Sequence, residues 1–149
     1  MHATLKGPWL ETQVEQYLQE NAIPLRLACN AADGFPRIVS VWFRYRQHRF
    51  YCVSHRDSQL VALLRDDEKV GFEVAPNEPP YCGVRGQGIA VLSNDGAGTE
   101  LEQLLQRYLG STESSLGNWL LTRRHEEVLI SIEQRRIFSW DYRQRMSDV

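Results

Sequence analysis

The sequence lacks any apolar run that approaches the roughly 18 residues needed to cross a bilayer. Residues 1–8 also lack the charged segment and long apolar stretch of a secretory signal. Both absences predict a protein with no membrane segment and a cytoplasmic location.

Long tracts of proline, glycine or serine, which would act as linkers, are missing too. The length of 149 residues, of which 42% are hydrophobic, suits one packed core. We therefore expect a single domain over residues 1–149.

Charge of one sign is not in excess, since the formal net charge is −2 at pH 7. This balance excludes the basic surface of a general nucleic-acid binder, so we expect no nucleic-acid partner, and any anion site must be local.

Cysteine is scarce as well. Cys29, Cys52 and Cys82 lie far apart in apolar stretches and form no C-x-x-C pair, which predicts buried, reduced thiols.

Motifs typical of metal sites and hydrolases are absent. The His-Glu-Glu segment at residues 125–127 lacks the second histidine of a helical zinc motif, so we expect no metal. No Gly-x-Ser-x-Gly elbow is present, which disfavours a hydrolase. His55 and the pair Arg123-Arg124 are expected in solvated turns. The sequence assigns no catalytic residue.

Apolar residues at helical spacing predict three helices. They are a helix over residues 9–20, a short helix that Asp57 or Ser58 caps and that ends at residues 65–67, and a helix over residues 99–109. Thr99 and Glu102 form a capping-box pattern at the start of the third helix, and Gly110 is a good stop at its end. Residues 111–122 show no clear pattern.

The remaining segments have the β-branched and aromatic residues of short strands. They lie at residues 25–30, 37–45, 49–54, 70–74, 81–93, 127–132 and 136–142. The first two are expected to form a hairpin, and the last two to be joined by a tight connection. About seven strands and three helices result, in a mainly β (α+β) protein. A closed or nearly closed antiparallel barrel fits this pattern, because closure removes exposed edges, whereas a doubly wound α/β sheet fits poorly.

The order of several segments resembles a known family. They are residues 34–43, residues 50–54, residues 58–60, residues 64–70, residues 84–90 and residues 136–141. In order and spacing they are similar to the pyridoxamine 5'-phosphate oxidase-like FMN-binding split-barrel family, over roughly residues 10–143. The resemblance implies an antiparallel split β-barrel of about six to seven strands with flanking helices. It also implies a homodimer with an FMN site at the subunit interface.

The resemblance further implies which residues contact the cofactor, through strand ends and a helix N-terminus. They are Arg37, Ile38, Val39, Ser40, Val53, Ser54, Ser58, Gln59 and Trp140. A flavin needs backbone donors and acceptors at its ring edge, and its phosphate needs cations and hydroxyls. Taken alone, Arg37 would be read as a solvated strand-end residue and Trp140 as a core or interface aromatic.

One departure from the family concerns the phosphate. The family's Ser-Arg-Lys motif reads Ser58-Gln59-Leu60 here, so two cations are absent. Other arginines with the bidentate geometry that suits a phosphate are available in their place, namely Arg37, Arg56 and Arg85. We expect weaker FMN binding than in relatives that carry the full motif.

The resemblance implies a flavin-dependent oxidoreductase that acts on an unknown small molecule. Two alternatives stay open: a non-catalytic protein that binds flavin, deazaflavin or haem, and a degenerate barrel that serves as a structural dimer. Vitamin B6 synthesis is not expected, because residues 136–145 lack the Arg-x-His pattern of true oxidases. A homodimer is also expected from Trp42, Phe43, Phe72 and Trp140, which one small barrel is not expected to bury.

Overall fold

The computed structural model describes residues 3–147. Its strands are β1 (Thr4–Lys6), β2 (Leu25–Asn30), β3 (Pro36–Val41), β4 (Arg44–Arg46), β5 (Arg49–His55), β6 (Lys69–Val74), β7 (Cys82–Ser93) and β8 (Glu127–Asp141). Its α-helices are α1 (Glu11–Glu20), α2 (Gln59–Asp66), α3 (Ala97–Leu109), α4 (Ser115–Thr122) and α5 (Arg143–Met146). The mainly β fold with flanking helices is confirmed. None of the helices within residues 3–147 has the length and apolar character needed to span a membrane.

One 8-stranded sheet runs in the order β3-β2-β6-β7-β8-β5-β4, with β1 paired in parallel to β8. Only Trp42 and Phe43 connect its edge strands β3 and β4. The three steps from Val41 to Arg44 span at most about 11 Å, so the edges must lie close together and the sheet must curl into a split barrel. The single strand predicted over residues 37–45 is therefore wrong, because the chain crosses from one sheet edge to the other at this point. The predicted hairpin of β2 and β3 is confirmed.

The barrel interior is filled by alternate residues of the central strands, as the period of two predicts. Phe50 on β5 lies at its centre. The centroid of its ring is 4.6 Å from that of Phe72, 4.9 Å from that of Tyr45 and 5.7 Å from that of Phe43.

The cysteines, Cys29, Cys52 and Cys82, are free and buried, as expected. Burial raises the pKa of the Cys52 thiol well above its usual range.

Strand β8 is continuous, so the prediction of two strands with a tight connection is wrong. β7 pairs with β8 from Leu129 to Asp141, and in place of the predicted connection the ladder has a β-bulge, at which Gln87 pairs with Arg136 and Gly88 with Gln134. On its other side, β8 changes partner from β5 to β1 across the same bulge. Gly88 allows this close approach, because a Cβ atom there would lie 2.6 Å from the Glu133 carbonyl oxygen.

The helix ends follow the predicted caps in part. Ser58 caps α2, since its Oγ accepts the Val61 N–H at 3.1 Å, and Gly110 ends α3 with φ of 72°. The capping box of Thr99 is wrong: α3 begins at Ala97, after Gly96 in a left-handed conformation. Glu102 instead forms a salt bridge with Arg124 at 2.7 Å. The unassigned residues 111–122 contain α4.

Helix α3 is held against the barrel by polar contacts from two sides. Glu100, which is 2% exposed, accepts two hydrogen bonds from the Arg44 guanidinium at 2.8 and 3.0 Å. Arg107 donates to the carbonyl oxygens of Leu18, Gln19 and Asn21 and so caps the C-terminus of α1. These contacts place α3 beside the ends of β3 and β5.

Candidate functional site

An open cleft of about 500 Å³ lies where β3 and β5 end, at the N-terminus of α2 and under α3 and α4. A cleft of this volume falls in the range of small-molecule and cofactor sites, about 300–1,000 Å³. The sequence-predicted residues that line it are Val39, Ser40, Val53, Ser54, Ser58 and Gln59. The structure therefore brings most of the predicted site together from three separate segments.

Polar donors are concentrated at the α2 end of the cleft. The Ser54 hydroxyl donates to Ser58 Oγ at 2.8 Å, and Ser58 Oγ also accepts the Val61 N–H. The Ser58 hydroxyl proton is thus left for a further acceptor. The N–H groups of Gln59 and Leu60 belong to the first turn of α2, where no intrahelical acceptor exists. This arrangement suits an anion such as a phosphate.

Apolar side chains form the rest of the cleft wall. They are Val41, Trp42, Leu101, Leu104 and Leu120. The Trp42 ring is stacked on Tyr108, with centroids 5.0 Å apart and planes 6° from parallel. Because Trp42 is fixed by this stacking, it presents a rigid wall to a planar ligand.

Two charged residues that sequence reasoning did not select also line the cleft: Arg123 and Glu127. The Arg123 guanidinium lies 4.6 Å from the centroid of the Trp119 ring. Glu127 is buried, and burial raises the pKa of its carboxyl group, against the opposing charges of Arg123 and His55. No sequence signal could have found either residue, because the packing of α3 and α4 on the barrel decides which side chains reach the cleft.

His55 is largely buried beside the same cleft, and sequence reasoning had expected it in a solvated turn. Its Nε2 lies 2.9 Å from Glu126 Oε2. This hydrogen bond, together with the charges of His55 and Arg56, lowers the pKa of the Glu126 carboxyl group. His55 is therefore held by Glu126.

Three predicted site residues lie outside the cleft of one chain. Arg37 forms a salt bridge with Asp33 at 2.8 Å, and Ile38 is 74% exposed on the outer face of the sheet. Trp140 packs against Gly83, where a Cβ atom would lie 2.8 Å from its ring. Their contact with a flavin stays a prediction.

The arginines considered as substitutes for the missing cations do not line the cleft either. Arg56 lies 3.7 Å from Glu126 and 3.9 Å from Asp57, and Arg85 lies over the Phe138 and Trp140 rings on the outer face. Leu60, at the lysine position of the family motif, is buried in the barrel core. Among the described residues that line the cleft, Arg123 is the only arginine or lysine.

The outer face of β2, β3, β6 and β7 forms a second open groove of about 500 Å³. It is lined among others by Ala28, Ile38 and Phe138. The expectation that one barrel leaves Phe43 and Phe72 uncovered is wrong, since they are 0% and 5% exposed inside the core. A large apolar side chain that does stay exposed on this side is Ile38, and Phe35, just before β3, is 70% exposed.

No family model matches the sequence, and no curated protein matches it. Solved structures do. A conserved hypothetical protein from Mycobacterium tuberculosis is 20% identical with a TM-score of 0.79, over 93% of this chain and 89% of the other. An F420 reductase is 18% identical with a TM-score of 0.70, over 82% and 94%. A putative pyridoxamine 5'-phosphate oxidase from Listeria innocua is 17% identical with a TM-score of 0.66, over 87% and 96%.

These identities are low, whereas the shared coverage of both chains is nearly complete. The likeness therefore concerns the fold. The curled antiparallel sheet, the edge strands joined through Trp42 and Phe43, and the flanking helices agree with it. The chain has the split-barrel fold of the pyridoxamine 5'-phosphate oxidase-like proteins.

Proposed function

We propose that the chain binds FMN in the cleft at the ends of β3 and β5 and acts as a flavin-dependent oxidoreductase on a small molecule. The observation that carries the proposal is the pairing of two surfaces in one cleft. Hydroxyl and N–H donors at the α2 end suit a phosphate, and the apolar wall that contains Trp42 suits a planar ring.

The proposed roles follow from the positions of the residues. Ser54, Ser58 and Gln59 would hold the phosphate, and Val53 would pack beside the ring. β3 is an edge strand, so backbone groups on the free side of residues 39–40 remain for hydrogen bonds to a ring edge. The bound flavin would supply the hydride or electron transfer. α3 and α4 would cover it and reduce its contact with water.

We propose Arg123 as the cation that takes the place of the family's missing Arg-Lys pair. Arg123→Gln is expected to weaken FMN binding about tenfold, because a hydrogen bond to a charged group contributes about 1.5–3 kcal/mol. Riboflavin, which has no phosphate, should bind both proteins equally. Quenching of flavin fluorescence during titration of the ligand-free protein measures both affinities.

Arg65→Gln is a matched control, because Arg65 is an exposed arginine on α2 that does not line the cleft. It should leave both affinities unchanged. If Arg123→Gln weakens riboflavin and FMN binding by the same factor, Arg123 acts on the shape of the cleft and not on the phosphate. Arg37→Ala, added to the same series, tests the sequence-based prediction that Arg37 contacts the flavin.

We also propose a homodimer formed through the outer face that carries Ile38 and Phe138. Exposed apolar groups of this size are typical of interaction surfaces, and isologous pairing would cover both copies at once. The Arg37, Ile38 and Trp140 contacts with flavin would then be completed across the interface.

Sedimentation of the full chain at micromolar concentration is expected to give the mass of two chains, and Ile38→Lys is expected to shift it to one. Leu10→Lys should not, because Leu10 is as exposed as Ile38, at 69%, but lies at the start of α1. A wild-type mass of one chain would contradict the dimer and the shared site with it.

A second candidate is a non-catalytic protein that holds a flavin, a deazaflavin or haem. A haem storage protein from Vibrio cholerae shares the fold, with a TM-score of 0.66 and 13% identity. A haem ligated by His55 would have to displace the Glu126 hydrogen bond at Nε2 or the Asp57 N–H at Nδ1. The absorbance spectrum of the purified protein separates flavin, deazaflavin and haem. A protein that neither carries nor binds any of them would support the remaining alternative, a degenerate barrel that serves as a structural dimer.

The free, buried cysteines accord with the cytoplasmic location that we propose.

A further inference from the structure

Glu127 is the buried acidic side chain of the cleft, and the inference drawn from it rests on the flavin site proposed above. It is the first residue of β8, where it pairs in register with His55. Glu127 is only 7% exposed, yet it lines the cleft together with Arg123. Most of the Glu127 residue is therefore covered by protein, and it borders the open cleft in which the ligand is proposed to lie.

The nearby basic side chains are engaged elsewhere. Within residues 3–147 neither of them forms a salt bridge with Glu127, because His55 pairs with Glu126 at 2.9 Å and the Arg123 guanidinium lies over the Trp119 ring. Burial of a carboxyl group that has no salt-bridge partner favours its protonated form. Of the neighbouring groups, Arg123 and His55 favour ionisation and Glu126 opposes it. Burial outweighs the effect of Arg123 and His55 and raises the pKa of Glu127.

We propose that Glu127 binds the ligand as a neutral carboxylic acid and donates a hydrogen bond to an acceptor of its planar ring system, a carbonyl oxygen or an unprotonated ring nitrogen. The apolar wall of the cleft offers a ring no hydrogen bonds, and the α2 donors suit the phosphate. Together with the free backbone groups of residues 39–40, Glu127 therefore distinguishes a heteroaromatic ring from a hydrocarbon of the same shape.

Ligand binding is then coupled to one proton. The O–H donor exists only in the protonated form, so affinity is highest at a pH below the pKa of Glu127 in the free protein. Affinity falls as pH rises through that pKa, and the bound ligand raises the pKa further. A group that had bound the ligand as a carboxylate would give the opposite slope.

Riboflavin is the appropriate probe, because it lacks the phosphate that Arg123 and Ser58 are proposed to hold. Its affinity for the full chain, measured by fluorescence quenching, is expected to fall about tenfold as the pH rises through the pKa of Glu127. Glu127→Gln keeps a donor and should bind at every pH as the wild type does at low pH. Glu127→Met removes the donor, and should bind about tenfold more weakly at low pH with no dependence on pH.

His55→Gln is the control for the other titrating group beside the cleft, and it should keep the slope of the wild-type pH profile. A ligand-free measurement completes the test: the 13C signal of the Glu127 carboxyl, assigned by its loss in Glu127→Gln, should titrate above the ordinary range of glutamic acid. An ordinary pKa in the free protein, or an affinity that rises with pH, would overturn the inference.

The two proposals fail in different ways. If the wild type binds neither riboflavin nor FMN at any pH, the flavin site itself is refuted and the role of Glu127 with it. If the wild type binds riboflavin and Glu127→Met binds it equally well, the flavin site stands and the inference about Glu127 is refuted.

Discussion

Arg44→Met is expected to lower the free energy of unfolding by about 3 kcal/mol, because it leaves the buried Glu100 without its bidentate partner. Removing one member of a buried ion pair typically costs about 3–5 kcal/mol. The lower end applies here, since the Arg44 side chain is 31% exposed and Arg46 lies 3.7 Å from Glu100. Urea unfolding at neutral pH measures the change, provided that the denaturant slope is the same in both proteins.

The double variant Arg44→Met with Glu100→Leu is the informative control. An apolar pair of similar size removes the buried charge and should regain most of the lost stability. A double variant that is less stable than Arg44→Met would contradict the explanation. Glu100 belongs to α3, which covers the candidate cleft through Leu101 and Leu104. The single variant Arg44→Met should therefore also weaken flavin binding, whereas the double variant should bind flavin as the wild type does.

Gly86→Ala is expected to lower the free energy of unfolding by roughly 3 kcal/mol, the upper end of the usual cost of overpacking. A Cβ atom at Gly86 would overlap the carbonyl oxygen of Arg136 on the paired strand β8 and lie 2.7 Å from the Phe72 ring. Neither neighbour can move freely: one is backbone of the central β7/β8 ladder, and the other packs against Phe50 in the barrel core.

Gly71→Ala provides the matched control on the adjacent strand β6. A Cβ atom there would meet its nearest neighbours at 3.7 and 3.8 Å, which is ordinary van der Waals contact. Its stability should be unchanged or higher by up to about 1 kcal/mol, because alanine reduces the entropy of the unfolded chain. Both variants are compared at one protein concentration, since association adds to apparent stability. An equal loss of unfolding free energy in the two variants would show that the replacement of a strand glycine, and not close packing around Gly86, causes the loss.

Sequence reasoning was most accurate where the signal is local. The strand Leu25–Asn30 has the predicted bounds, and Ser58 and Gly110 cap their helices as expected. It failed where the partner of a segment decides its structure. The prediction of one strand over residues 37–45 was wrong because Phe43 enters the core and its N–H donates a hydrogen bond to α3, to the hydroxyl oxygen of Tyr108 at 3.1 Å.

The candidate site shows the same division. The serines and valines at the ends of β3, β5 and α2 could be named from the resemblance, and the structure brings them into one cleft. Arg123 and Glu127 could not, because their own sequence neighbourhood predicts only a polar turn before a strand. Arg37 was selected as a contact, and in one chain it pairs with Asp33 instead.

By itself the sequence determined many of the strand and helix segments, the caps formed by Ser58 and Gly110, and the mainly β class, because periodicity and turn chemistry act between residues a few positions apart. Tertiary structure alone decided that the chain switches sheet edges at Trp42, that β8 runs unbroken through a bulge, and that Arg123 and Glu127 line the cleft. Each of these depends on pairing or packing between segments far apart in the chain. Such contacts are selected by the shape and burial of the whole barrel, which no short stretch of sequence contains.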